Sequence, residues 1–372
     1  MQWYLLMARA SKMNKIRIPI RLPGSWSETL AQALPGRWAS PFKLWNQLTK
    51  LKPNQLMLEY LPKSLNDLKV PLLQSVHYSA RASFAKAGFQ WELRNQGERK
   101  IGLWRKKFRE KSAAQAYPKR LIIIPGFGDT PLSWFLPSML AMRKIRVQFD
   151  EVIFFDFPGF SGFLSSDKCF DSMDALLDMA SDTLDSLKPH TVLGHSLGGW
   201  ILGYYAGKCG AGERPLGNQK TYAGPARIII VDPSGVFGGP EAETRWEAKF
   251  KRIMDGGFEF LRPDLFAKEP VWFPLMASEF SRFIAKKDVH DFMRSFRRDH
   301  SIDEWVKKIR AETWLFWGEK DTLCPTEWIN HWLNLLSPQT PTHSVIFNGV
   351  GHSPQVEAPA QVAQAMIAVF EA

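Results

Sequence analysis

The sequence predicts an α/β protein: a mostly parallel sheet with helices on both faces. Unbroken apolar runs such as Leu121-Ile122-Ile123-Ile124 and Ile228-Ile229-Ile230-Val231 suit strands buried on both sides. Helix-compatible stretches, as in Ser172 to Leu187, separate most of these runs. A hairpin pattern precedes the alternation, and strands that alternate with helices pair in parallel.

Residues 1–85 stand apart as a basic extension. They carry 12 Lys/Arg against 3 Asp/Glu, with Trp3, Trp26, Trp38 and Trp45 spread among them. Ser25-Trp26-Ser27-Glu28 has the form of an N-cap with its capping-box Glu. Phe42, Leu44, Trp45, Leu48 and Leu51 then recur at helical spacing, with Lys43, Lys50 and Lys52 between them. The expectation is a small helical subdomain packed on the main body. The alternative is a peripheral helix whose lysines meet an anionic membrane while Trp and Leu enter the interface.

From Phe89 the texture changes. Phe89 to Leu93 and Ile101 to Trp104 read as two strands joined by Asn95-Gln96-Gly97-Glu98. Buried-strand runs follow at 121–124, 152–155, 191–193, 228–231, 314–317 and 344–347. Such a sheet places chemistry at the carboxyl ends of its strands, and the chemically interesting residues all lie there.

Thr191-Val192-Leu193 runs into Gly194-His195-Ser196-Leu197-Gly198-Gly199. A Gly-x-Ser-x-Gly pentapeptide after a strand suits a sharp strand-to-helix elbow that lifts one hydroxyl clear of the backbone. Pro125-Gly126-Phe127-Gly128-Asp129 follows the 121–124 strand. That turn can aim a backbone N–H into the space above the serine, and with the Leu197 N–H it would form an oxyanion hole. Asp321 follows the 314–317 strand, and His352 follows the 344–347 strand between glycine-rich backbone and Ser353-Pro354. Asp232, after the 228–231 strand, is a rival acid. His195, inside the elbow, is expected to point away from the reacting centre.

These residues resemble the α/β-hydrolase superfamily over about residues 86–372, in its monoacylglycerol-lipase and carboxylesterase branch. The resemblance implies Ser196 as nucleophile, His352 as base and Asp321 as acid, in the order Ser…Asp…His. It implies the Phe127 and Leu197 N–H groups as oxyanion donors. Asp156 to Gly162 resembles the family's D-x-P-G-x-G-x-S loop, with Phe160-Ser161-Gly162 where G-x-S is usual. Pro125 stands where many members carry the His of an H-G pair. The expected activity is hydrolysis of carboxylic esters with apolar acyl groups. A thioesterase, a carbon–carbon bond hydrolase and a non-catalytic lipid-binding protein are the alternatives. Dehalogenase and epoxide hydrolase readings need Asp where Ser196 stands.

Residues 236–310 interrupt the alternation and read as a helical lid inserted into a core of 86–235 and 311–372. Eleven aromatics fall in 241–300. Most must hold the lid together, while Trp246, Trp272 and Phe273 are candidate pocket residues. Arg297-Arg298 could contact phosphate, but a solvated face is the expectation.

The whole chain has a net charge of +11, concentrated in residues 1–120, which carry 23 Lys/Arg and 6 Asp/Glu. No groove-reading or RNA-binding motif accompanies that charge, so nucleic acid is not an expected partner. No apolar run approaches the ~20 residues of a membrane-spanning helix. Trp3 to Met7 is too short to be a signal peptide. Three scattered cysteines (Cys169, Cys209, Cys324) indicate a reducing compartment. The expected location is therefore cytoplasmic, with peripheral membrane contact through residues 1–85. Neither a metal nor a cofactor is implied.

Overall fold

A computed structural model describes residues 81–96, 99–160, 168–213, 222–237, 240–271 and 273–372. The helical patterns at 25–36 and 42–51 lie outside these residues, as do Ser161 and Gly162. Strands form where the apolar runs stand: β1 Gln90–Gln96, β2 Arg99–Lys107, β3 Arg120–Ile124, β4 Glu151–Asp156, β5 Thr191–His195, β6 Arg227–Val231, β7 Glu312–Gly318 and β8 Thr342–Phe347. They make one eight-stranded sheet in the order β1-β2-β4-β3-β5-β6-β7-β8. The β1–β2 and β2–β4 pairs are antiparallel, and the remaining pairs are parallel.

Strand residues alternate between two cores, because successive side chains leave a strand on opposite faces. Ile122, Ile124, Phe155, Val192, Ile228, Ile230 and Leu315 join one apolar cluster. Leu121, Ile123, Phe154, Leu193, Ile229 and Phe316 join the other. Helices α1 (Pro131–Gln148), α2 (Met173–Leu187) and α3 (Leu197–Ala211) are interleaved with the early strands. Thr130 caps α1 by accepting from the Leu132 N–H at 3.0 Å, and Ser172 caps α2 by accepting from Ala175 at 3.2 Å.

Between β6 and β7 the chain makes α4 (Pro240–Gly256), α5 (Phe258–Leu261), α6 (Pro274–Ile284), α7 (Lys287–Arg294) and α8 (Asp303–Val306). This insertion packs over the carboxyl edge of the sheet. Phe283 of α6 and Phe292 of α7 stand 5.5 and 6.2 Å from the ring of Phe127. Asp288 accepts from the Cys169 N–H, and Ser295 from the Met173 N–H, both at 2.8 Å. After β7 come α9 (Trp328–Leu335), then β8, α10 (Pro354–Glu357) and α11 (Pro359–Glu371). No helix among the described residues is long and apolar enough to cross a membrane.

Candidate active site

β5 lies inside the sheet between β3 and β6, so the residue after it emerges at the middle of the carboxyl edge. That residue is Ser196, held at φ 51° and ψ −115°. Positive φ in a non-glycine residue is strained and persists only where surroundings fix it. Here the Ser196 N–H donates to the Val231 carbonyl at 2.9 Å, while its own carbonyl accepts from Trp200 at 3.0 Å. Ser196 occupies the N-cap position of α3 without using its side chain as a cap. The hydroxyl is left available.

Tight packing explains the elbow's glycines. A methyl group at Gly198 would run into the Ile124 carbonyl oxygen, and one at Gly199 would sit 2.8 Å from Pro233 Cβ. The loop after β3 comes equally close. A Cβ at Gly126 would lie 3.0 Å from His195 Nδ1 and 3.1 Å from Ser196 Cβ. Phe127 is the next residue on that loop, and its ring packs edge-on to Phe160 at 5.1 Å. Leu197, first residue of α3, is 2% exposed.

The late strands deliver the other two groups. Ser196 Oγ donates to His352 Nε2 at 3.0 Å. His352 Nδ1–H donates to Asp321 Oδ2 at 2.8 Å. The other oxygen, Asp321 Oδ1, accepts the N–H groups of Leu323 and Cys324, each at 2.8 Å. Both side chains are buried, so neither water nor salt screens the pair. Asp232 does not reach the histidine. It sits at φ 42°, fully buried, and its Oδ1 accepts from the Gly318 N–H at 2.8 Å. Burial first, and then the facing Asp321 carboxylate, push the Asp232 carboxyl well above the usual range.

His195 turns its ring nitrogens to the His352 backbone and to Gln355 rather than to Ser196. Its ring centroid is 5.2 Å from that of His352, and Nε2–H donates to the His352 backbone carbonyl at 2.8 Å. Gln355 Nε2 lies 3.4 Å from His195 Nδ1 and 3.3 Å from Asp129 Oδ2. Asp129 also accepts from Ser133 Oγ at 2.8 Å. Elbow, β3 loop and His352 loop are therefore joined through the buried His195 and Gln355 and the partly exposed Asp129. Sequence reading missed Gln355 and Asp129, although Asp129 directly follows the singled-out glycines.

Asp321, Cys324 and His352 also bring an oxygen, a sulfur and a nitrogen within 4.8 Å of one another. Burial, followed by the Asp321 and Asp232 carboxylates, pushes the Cys324 thiol well up. A thiol held protonated is a poor metal ligand, and His352 Nδ1 is already engaged. Cys324 packs as a small apolar group.

In sequence, residues 121–365 match the alpha/beta hydrolase family. The chain belongs to that family. No curated protein matches it. Among solved structures, this alpha/beta hydrolase is similar to a candidate lipase from Acinetobacter baumannii AYE. The two are 20% identical with a TM-score of 0.57, over 83% of this chain and 98% of that one. A membrane phospholipase A described as a bacterial virulence factor is 19% identical, with a TM-score of 0.54 over 80% and 91% of the two chains. A thermophilic esterase from Thermogutta terrifontis is 18% identical, with a TM-score of 0.53 over 76% and 98%. At these identities the likeness is one of fold.

Of the three candidate pocket residues, the structure describes the side chain of Phe273 alone. Trp272 and the side chain of Trp246 lie outside it. Phe273 is 3% exposed, with Phe258, Phe266 and Phe280 around it at 5.9, 4.8 and 5.5 Å. Its surface is spent on the interior of the insertion. The rings that overlie the β3 loop are instead Phe160, Phe283 and Phe292.

Proposed function

We propose that this alpha/beta hydrolase is a serine hydrolase of carboxylic esters with apolar acyl groups, covered by a helical lid formed by the insertion. The observation that carries the reading is the continuous hydrogen-bonded line Asp321–His352–Ser196, ending on a strained elbow serine whose hydroxyl caps nothing.

A serine hydroxyl is a weak nucleophile until a base takes its proton. His352 Nε2 is placed to accept that proton as Ser196 Oγ adds to the ester carbonyl. Asp321 holds the ring with its other proton on Nδ1 and stabilises the imidazolium that forms. The tetrahedral oxyanion is met by the N–H groups of Phe127 and Leu197, where losing one donor costs on the order of 3 kcal/mol. His352 returns the proton to the leaving alkoxide, and the acyl-enzyme remains. Water then adds to the acyl carbon, gives a proton to His352, and releases the acid as Ser196 recovers its proton. His195, Gln355 and Asp129 hold the three loops in register throughout. Phe127 keeps part of its ring exposed, with Phe160, Phe283 and Phe292 buried behind it, and this apolar wall beside the elbow favours hydrocarbon acyl groups. The lipase, phospholipase and esterase names of the structural neighbours agree with this class.

Activity-based labelling tests the reading. The full chain should react with a fluorophosphonate and turn over p-nitrophenyl esters, and Ser196→Ala should abolish labelling and cut turnover by several orders of magnitude while remaining folded. Full labelling of the Ala variant at another serine would overturn the assignment.

A further inference from the structure

A second concave site lies in the insertion, away from Ser196. It is a cavity of about 300 Å³ between α4 and the segment from the end of α7 to Arg298. Neither Ser196, Asp321 and His352 nor Phe127 and Leu197 line it. Its floor is hydrocarbon: Phe237, Phe250, Met254, Met293 and Phe296. Phe250 and Phe296 stack at 5.3 Å, and the two methionines are flexible fillers that adapt to a guest chain.

The rim is charged, and the charge is unbalanced. Lys251, Arg294, Arg297 and Arg298 face Glu247 and Asp255. Arg298 grips Glu247 with two hydrogen bonds, 2.9 and 3.0 Å, which tie one wall to the other. Arg297 is held by Asp299 and Asp174. Among the described residues Arg294 pairs with Asp291 alone, 3.5 Å away on its own exposed helix face, and such surface pairs yield easily to a better anion. An apolar floor below the weakly held Arg294 and the exposed Lys251 suits an anion with a hydrocarbon tail, and suits a neutral lipid or a sugar phosphate poorly.

We propose that this cavity binds a single-chain carboxylate amphiphile, with its tail on the Phe250–Phe296 floor and its head at Arg294 and Lys251. The proposal rests on the ester-hydrolase reading only for the source of that ligand: the acid released from an apolar acyl ester has this chemistry. The cavity also has a route to the chemistry. Phe296 meets Phe292 at 5.1 Å, and Phe292 stacks on Phe127 of the β3 loop. A chain seated on the floor therefore lies two aromatic rings from a proposed oxyanion donor.

The test is calorimetric titration of the full-length Ser196→Ala protein with dodecanoate, dodecyl phosphate and dodecanol, each below its micellar concentration. Dodecanoate should bind at least tenfold more tightly than dodecanol. Affinity should rise about fourfold per methylene from octanoate until the floor is filled. Lys251→Glu with Arg294→Glu should weaken dodecanoate at least tenfold and leave dodecanol unchanged, and Met254→Trp should block both. Dodecyl phosphate binding more tightly than dodecanoate would make the site one for phosphate heads and overturn the carboxylate assignment. Equal affinity for acid and alcohol would also overturn it. So would binding indifferent to the charge-reversed pair, or loss of binding when wild-type protein carries a phosphonate on Ser196, since that places the tail in the catalytic pocket. Should Met254→Trp fail to fold, the surface pair decides alone. Inactivity of the wild type towards esters would refute the hydrolase reading and leave this titration standing; turnover without binding would refute the cavity alone.

Discussion

Replacing Asp321 with asparagine changes one atom, and the structure dictates where that atom goes. Asp321 Oδ1 accepts two backbone N–H groups, from Leu323 and Cys324. An asparagine must keep its carbonyl oxygen there, because an NH₂ would face two donors in a buried site. The NH₂ is thus driven onto His352 Nδ1, which must accept it, and the ring proton moves to Nε2. That nitrogen faces Ser196 Oγ at 3.0 Å and can no longer take the hydroxyl proton. A wrong tautomer in intact geometry costs about 10⁴ in kcat for a Ser-His-Asp system, or about 5.5 kcal/mol at 1.36 kcal/mol per decade. Asp232→Asn should behave differently. Asp232 Oδ2 is buried without a donor and faces a second carboxylate, which favours the neutral acid, and an amide replaces that form closely. Ester turnover should stay within about threefold of wild type. Stability adds a second readout. A carboxyl raised in the folded state above its usual value of 3.8 keeps a proton that the unfolded chain gives up. The stability tied to Asp232 is therefore complete below about pH 3.8 and lost as pH climbs towards the raised value. Asp232→Asn lacks this loss, so its melting temperature should gain on wild type as pH rises above about 4. Steady-state hydrolysis of a p-nitrophenyl ester and melts at several pH values measure both effects. An inactive Asp232→Asn beside a near-wild-type Asp321→Asn would refute the reasoning.

Three further outcomes are expected. His195→Phe keeps the ring but loses the donor to the His352 carbonyl, and a displacement near 1 Å can cost 10²-fold; kcat should fall 10- to 100-fold with KM little changed, and His195→Gln, which returns an N–H near Nε2, should recover most of it. Gly198→Ala drives a methyl into the Ile124 carbonyl oxygen; such overpacking costs about 1–3 kcal/mol or more, visible as a melting temperature several degrees lower. Full-length protein should sediment with anionic vesicles at low salt, leave them at 1 M salt where the Debye length is ~3 Å, and ignore neutral vesicles; no binding at low salt would make residues 1–85 a packing subdomain.

The eight strands were legible because each is an apolar run doubly buried or alternating in place, a local signal. Ser196 was legible for the same reason: an elbow is written in five consecutive residues. The choice of Asp321 over Asp232 was less so, since both end a strand and only the register of β6, β7 and β8 decides which faces the histidine. His195, Asp129 and Gln355 come from three segments as much as 226 residues apart. No periodicity brings such partners together. Phe273 illustrates the opposite error. An aromatic residue in a lid can line a pocket or fill an interior, and only packing against Phe258, Phe266 and Phe280 separates the two.

Glu357 is hydrogen-bonded to none of Ser196, His352 and Asp321, yet it joins two segments that surround them. One of its oxygens accepts from the Gly351 N–H at 2.9 Å, beside His352. The other accepts from Ala267 and Lys268 of the insertion, at 3.0 and 3.2 Å. A single carboxylate thus clasps the covering segment to the loop that carries the base. Were the insertion to lift in the proposed reaction, two of these three bonds would break and the His352 loop would keep a looser anchor. Under the proposed reaction, admission of substrate and readiness of His352 would then be opposed states of one latch.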